Sequence, residues 1–216
     1  LTDTAAIYGP NAGAFGMEPW HASIQDAYEL LQGKKLEMQN YPMWEKESLK
    51  DEEHPLAAYH VTEPFVLHTN KKEGESFKIE GRLLGGCLDC LSHLRGTKFD
   101  KVKEFNQKYE DDGILWFLES CDLNVFEMRR TLWSLKQAGW FDTCRGFLIG
   151  RPGVQGQIIA GLDQYEAVLS MLSEFDVPIF MDLDIGHVAP MIPLICGSYG
   201  KVTVARNDCC ISMSLQ

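Results

Sequence analysis

The stretch "GILWFLESCDLNVFEMRRTLWSLKQAGWFDTCRGFLIG", Gly113 to Gly150, reads as a strand, a helix and a second strand. "ILWFL" and "GFLI" are short runs of apolar and aromatic residues, the pattern of strands buried on both faces. Between them Val125, Met128, Leu132 and Leu135 recur at helical spacing. Asn124 and Glu127 have the spacing of a capping box at the start of that helix, and Gly139 stands where it should stop. A buried strand, a crossover helix and another buried strand predict an α/β unit with parallel strands.

Downstream the alternation continues. "LDQYEAVLSMLSEF" reads as a helix, "VPIFMDLD" as a strand, and "KVTVARNDCCISM" as a terminal hairpin turning at Asn207-Asp208. Upstream, "GGCLDCLSHLRG" puts Leu88, Leu91 and Leu94 on one helix face, and "FDKVKEFNQKY" reads as a short amphipathic helix. "EPFVLH" and "SFKIEGRLLGG" are strand candidates separated by the turn-like "TNKKEGE". Met38 to His60 is polar and predicts a solvated segment. A helix is expected from Pro19 to Gly33, and "TAAIYGPN" opens as a short strand, Ala5 to Tyr8, breaking at Gly9-Pro10. The fold expected is α/β, with a mainly parallel core sheet, flanking helices and an antiparallel terminal hairpin.

With 216 residues, 45% of them hydrophobic, the chain can bury a sizeable core. A net charge of −11 and the lack of a Lys/Arg cluster argue against a nucleic-acid partner. No apolar run is long enough to span a bilayer, and no signal peptide opens the chain. Seven cysteines, an odd number in a chain too large to need stapling, fit a reducing compartment, so a cytoplasmic location is expected. Cys87 and Cys90 form a C-x-x-C without further ligands at zinc-site spacing, and the cysteines are expected to be buried structural thiols. The chain starts at Leu1 rather than Met, which suggests a fragment or a processed product.

Ligands of open parallel sheets gather beyond the carboxyl ends of the strands. Glu119 closes "GILWFLE", and His187 follows "VPIFMDLD" after Ile185-Gly186. A carboxylate-oriented imidazole is the base half of an acyl-transfer triad. A nucleophile is missing: no G-x-S-x-G occurs, and Ser198 in "GSYG" is ordinary turn chemistry. From residue types alone, His187 can equally be a structural or a catalytic histidine.

The succession "AIYGPNAGAFG", "GRLLGGCLDCL", "GILWFLES", "EMRRTLWSLKQAGWFDTCRGFLIGRPG" and "VPIFMDLDIGHVAPMIPLICG" resembles the LD-carboxypeptidase family of serine peptidases, which includes the microcin-immunity hydrolases. The resemblance implies a Ser-Glu-His triad. Its glutamate falls on Glu119 and its histidine on His187, while its serine belongs to an amino-terminal domain upstream of Leu1, so that this chain alone should be inactive. It also implies a swivelling carboxy-terminal α/β domain. Residues 76–216 would form this Glu/His-bearing domain, and residues 1–75 the end of the amino-terminal domain with the inter-domain segment. Further implications are a homodimer, no cofactor, no metal, and a substrate that is a murein tetrapeptide or a peptidyl- or aminoacyl-nucleotide.

Gly85, Gly86 and Cys87 are expected to hold substrate, and Trp20 to line its pocket, with Trp44 a further aromatic. Microcin-immunity members tend to carry Asn after the Gly-Gly pair and Lys about one helical turn beyond the glutamate; here Cys87 and Leu123 stand in those places. Arg82, Arg129 or Arg130 could take a substrate carboxylate instead. Asp182 and Asp184 are expected to bond the backbone carrying His187 or to solvate the strand end. A second reading is a noncatalytic module that binds cell-wall peptide or a protein partner. A third, a metal-dependent hydrolase using His187 with Asp182, Asp184 or Glu119, lacks a recognisable ligand pair.

Overall fold

A computed structural model describes residues 4–72 and 75–215. The expected turn "TNKKEGE" includes Glu73 and Gly74, and the opening includes Leu1; these lie outside the described residues. In chain order the elements are β1 (Ile7–Tyr8), α1 (Ala22–Leu31), β2 (Glu37–Gln39), β3 (Met43–Trp44), β4 (Glu63–Pro64), β5 (His68–Thr69) and β6 (Ser76–Cys87). There follow α2 (Leu88–Leu94), α3 (Val102–Lys108), β7 (Ile114–Glu119), α4 (Val125–Gln137), β8 (Cys144–Gly150), α5 (Gln164–Leu172) and β9 (Ile179–Leu183). β10 (Leu194–Ile195), β11 (Tyr199–Ala205) and β12 (Asp208–Ser214) complete the chain.

Eight strands form one sheet in the order β2-β12-β11-β6-β7-β8-β9-β5. Its centre, β6 to β9, is parallel, and the strands outside it pair antiparallel. The β7-α4-β8 unit forms as expected: β7 is buried throughout, and Asn124 and Glu127 make the capping box reciprocally. Along β7 the side chains alternate faces. Ile114, Trp116 and Leu118 pack with Met128, Leu132 and Leu135 of α4 and Val168 and Leu172 of α5. Leu115 and Phe117 join the core on the opposite face, with Met38, Tyr41, Ile185, Ile192 and Leu194. Glu119 continues this second row, so period two delivers it to the face covered by the β1 and β10 segments.

Several local expectations need correction. The first helix begins at Ala22, with His21 as its N-cap, not at Pro19, because His21 Nδ1 takes the Ser23 N–H. Gly33, at φ +69°, ends it as expected. "EPFVLH" is not one strand: β4 pairs with β3 and β5 with β9, with Phe65, Val66 and Leu67 between them. The polar segment contributes β2 and β3, and β2 pairs with β12, its buried Met38 opposite Ile211. The terminal hairpin turns at Arg206-Asn207, one residue early, since Ala205 pairs with Asp208. Only Cys87 and Cys209 are buried; Cys90 is exposed, and all seven cysteines are free. No described helix is long and apolar enough to cross a membrane.

Candidate active site

β7 ends at Glu119, whose side chain is fully buried, and the loop after β9 brings His187 over it. His187 Nδ1 lies 2.9 Å from Glu119 Oε2. A carboxylate accepts only, so this contact selects the Nδ1–H tautomer and leaves the Nε2 lone pair pointing away from Glu119. The imidazole side chain is about half exposed, at 51%. Tyr8 on β1 donates its O–H to the other oxygen, Oε1. Burial, and then the Glu119 charge, push the Tyr8 phenol far above its ordinary range, so the proton stays on Tyr8. The buried carboxylate therefore has a partner on each oxygen, as a buried charge requires.

Two glycines permit this approach. At Gly186, φ is +110°, and a Cβ would stand 2.6 Å from Glu119 Cγ and from Oε2. At Gly85, φ is +157°, and a Cβ would stand 1.7 Å from the Phe117 carbonyl oxygen. Parallel pairing places Gly85 opposite Phe117, Gly86 opposite Leu118 and Cys87 opposite Glu119. The Gly-Gly-Cys segment thus lies beside the pair. Burial, and then Glu119, hold the Cys87 thiol well above its ordinary range, so it is protonated and a poor nucleophile. Cys87 Sγ also approaches Asp89 Oδ2 at 3.3 Å. Asp89 accepts the backbone N–H groups of Cys121 and Asp122, which joins the start of α2 to the segment after Glu119.

Asp182 and Asp184 do not bond the His187 backbone. Asp182 accepts from Gln164 and from the Tyr165 hydroxyl at 2.6 Å, and His68 stands beside it. Asp184, wholly buried, pairs with Arg151 and accepts the Tyr41 N–H at 2.7 Å. Its influence on His187 runs through its own carbonyl, which takes the Ile192 N–H and closes the loop. Glu45 N–H bonds the Ala189 carbonyl from the other side. Ser198 donates to the Ile195 carbonyl, the turn role expected of it.

Trp20 packs on Phe15 and Tyr28, and its indole N–H bonds the Phe15 carbonyl. Trp44 lies over the Arg151 guanidinium, 5.0 Å from it. Arg82 is held by Asp112 beneath the Tyr109 ring, while Arg129 and Arg130 are exposed on α4. The partner that sequence reading missed is Tyr8; its only signal was a lone polar tip at the end of a short apolar strand.

Residues 80–202 match the family model described as the LD-carboxypeptidase C-terminal domain. The chain belongs to the LD-carboxypeptidase family. It is 26% identical, over 99% of its length and 59% of the relative's, to a Treponema pallidum protein named "Putative carboxypeptidase". Its fold is similar to that of an MccF-like protein from Streptococcus pneumoniae solved in complex with AMP, with a TM-score of 0.71, 21% identity, and coverage of 97% of this chain and 63% of that one. It is also similar to the muramoyltetrapeptide carboxypeptidase from Oxalobacter formigenes, with a TM-score of 0.67, 16% identity, and coverage of 99% and 62%. The chain thus spans about six-tenths of the length of these LD-carboxypeptidase relatives.

Proposed function

We propose that Glu119 and His187 are the orienting acid and the general base of a serine amide hydrolase. The observation that carries this reading is the Glu119–His187 contact at the carboxyl ends of parallel strands, with Nε2 turned away from the carboxylate. The nucleophile is a serine outside these 216 residues, brought to Nε2 by a segment preceding β1. His187 takes its proton as the hydroxyl attacks an amide carbonyl, then returns it to the leaving amine. Glu119 holds the tautomer and stabilises the imidazolium, and Tyr8 keeps the carboxylate in place. On this reading the isolated chain is inactive.

The substrate we assign is an L-D peptide bond of a murein tetrapeptide, the class named by the Oxalobacter relative. Leu123 supports it: its side chain packs with the apolar core beside α4, and no ammonium stands at that place to meet a nucleotide-linked carboxylate. The AMP complex of the Streptococcus relative favours a second reading, an aminoacyl- or peptidyl-nucleotide. In either case Gly85, Gly86 and Cys87 border the position of the scissile group.

The test is hydrolysis of a murein L-D tetrapeptide and of an aminoacyl sulfamoyl adenosine by the complete gene product, with this chain measured beside it. Cleavage of the tetrapeptide by the complete product alone is expected. Cleavage of only the nucleotide would overturn the substrate assignment, and activity of this chain alone would overturn the assignment of the nucleophile.

A further inference from the structure

Pairing of β6 with β7 puts Cys87 directly beside Glu119, and the loop after β9 adds His187. Cys87 Sγ, a Glu119 carboxylate oxygen and a His187 ring nitrogen all lie within 4.8 Å of one another. The C-x-x-C spacing gave Cys87 no metal partner in sequence, but the fold supplies two from distant strands. Two of the three residues are buried, so the group differs from an acidic cluster on a solvated surface.

We infer that Cys87, Glu119 and His187 form a zinc-binding site that, when filled, switches the catalytic pair off. A thiolate, a carboxylate and an imidazole are all zinc ligands, at about 2.3, 2.0–2.2 and 2.0–2.1 Å respectively. In a tetrahedral site those lengths place ligand atoms roughly 3.3–3.8 Å apart, so no separation within the group must change by more than about 1.5 Å. His187 is the member free to make that move, since its side chain is half exposed on a loop that turns at Gly186. A water would complete the fourth position. The thiolate selects zinc over magnesium or calcium, which prefer oxygen ligands.

The surroundings suit a dication. Among the described residues, the hydrogen bonds and ion pairs of the three involve Tyr8, Asp89 and one another, with no Lys or Arg. Tyr8 on Glu119 Oε1 would orient that ligand from outside, while Asp89 gives up its hydrogen bond as the Cys87 S–H proton leaves. On binding, the Cys87 S–H bond is replaced by an S–Zn bond and the proton passes to buffer, while the His187 proton moves from Nδ1 to Nε2 and frees the Nδ1 lone pair for the metal. That filling silences catalysis rests on the reading of His187 as base; binding does not.

The experiment titrates the purified protein with zinc against a chromogenic chelator and with cobalt(II) as a spectroscopic probe, without any hydrolysis assay. One zinc per chain is expected, together with a thiolate-to-cobalt charge-transfer band. Cys87→Ser and Cys87→Asn should each abolish the band and weaken zinc binding at least a hundredfold, while Cys90→Ser leaves both in place. Two variants guard against misfolding of either one. Absence of stoichiometric zinc, or zinc and cobalt binding that survives both Cys87 substitutions, would overturn the inference.

Discussion

Gly186 and Glu119 stand so close that a β-carbon on residue 186 would lie 2.6 Å from the Glu119 carboxylate. The loop carrying His187 can thus seat its imidazole on a buried acid only where residue 186 has no side chain. Its φ of +110° is a further reason, because L side chains rarely adopt it. Gly186→Ala is expected to cost about 1–3 kcal/mol of stability from backbone strain. It should also lower kcat by moving His187 off Glu119. Urea unfolding and steady-state kinetics of the complete product check both effects; unchanged kcat would mean that the loop tolerates displacement.

Tyr8→Phe deletes the O–H donor to Glu119 Oε1 and leaves a buried carboxylate oxygen unpaired. The expected loss is about 1–3 kcal/mol in unfolding free energy. Activity should fall as well, because Glu119 loses one of the two contacts that fix it. Chemical denaturation of the variant gives the first value, and kcat at saturating substrate the second.

Asp184 and Arg151 form an ion pair with both side chains buried, and Asp184 also takes the Tyr41 N–H. Removing one partner leaves an uncompensated buried charge, so Arg151→Met should destabilise the fold by about 3–5 kcal/mol. The double variant Arg151→Met, Asp184→Leu should recover part of that loss. A thermal melt of both variants distinguishes a structural pair from an isolated charge.

Asp89 gives an acid-range prediction. Burial raises its carboxyl pKa, but the Asp122 and Cys121 N–H groups more than offset this and hold it below the ordinary value. A depressed folded pKa contributes stability above the unfolded pKa, and that contribution is lost as pH falls through the folded value. Asp89→Asn should therefore be less stable than wild type at about pH 7, and the gap should narrow towards about pH 3. Melting temperatures across that range test the sign.

The parts of the fold visible in sequence are those decided locally. β7, α4 and β8 could be read because fully apolar runs and a capping box are signals contained within a few residues. Glu119 and His187 could be placed at strand ends, since one closes such a strand and the other follows one, but only the family resemblance gave them roles. β2 and β5 could not, since each is three residues or fewer and exists only through pairing with β12 or β9. The same holds for Tyr8, which meets Glu119 across 111 residues of chain, and for Cys87, whose neighbour is set by strand register. Asp182 and Asp184 looked alike in sequence, but the fold separates them. The positive φ at Asp182 turns its side chain to Tyr165 and His68, while Asp184 points to Arg151.

The most direct test of the account is a double-mutant cycle on hydrolysis by the complete gene product, comparing His187→Ala, Glu119→Gln and the two combined. Residues that act as one base unit lose activity non-additively. The account predicts that His187→Ala lowers kcat by about a thousandfold or more, and that adding Glu119→Gln costs little beyond it. Losses that multiply in the double variant, or a His187→Ala protein that keeps its activity, would contradict the assignment of Glu119 and His187 as orienter and base.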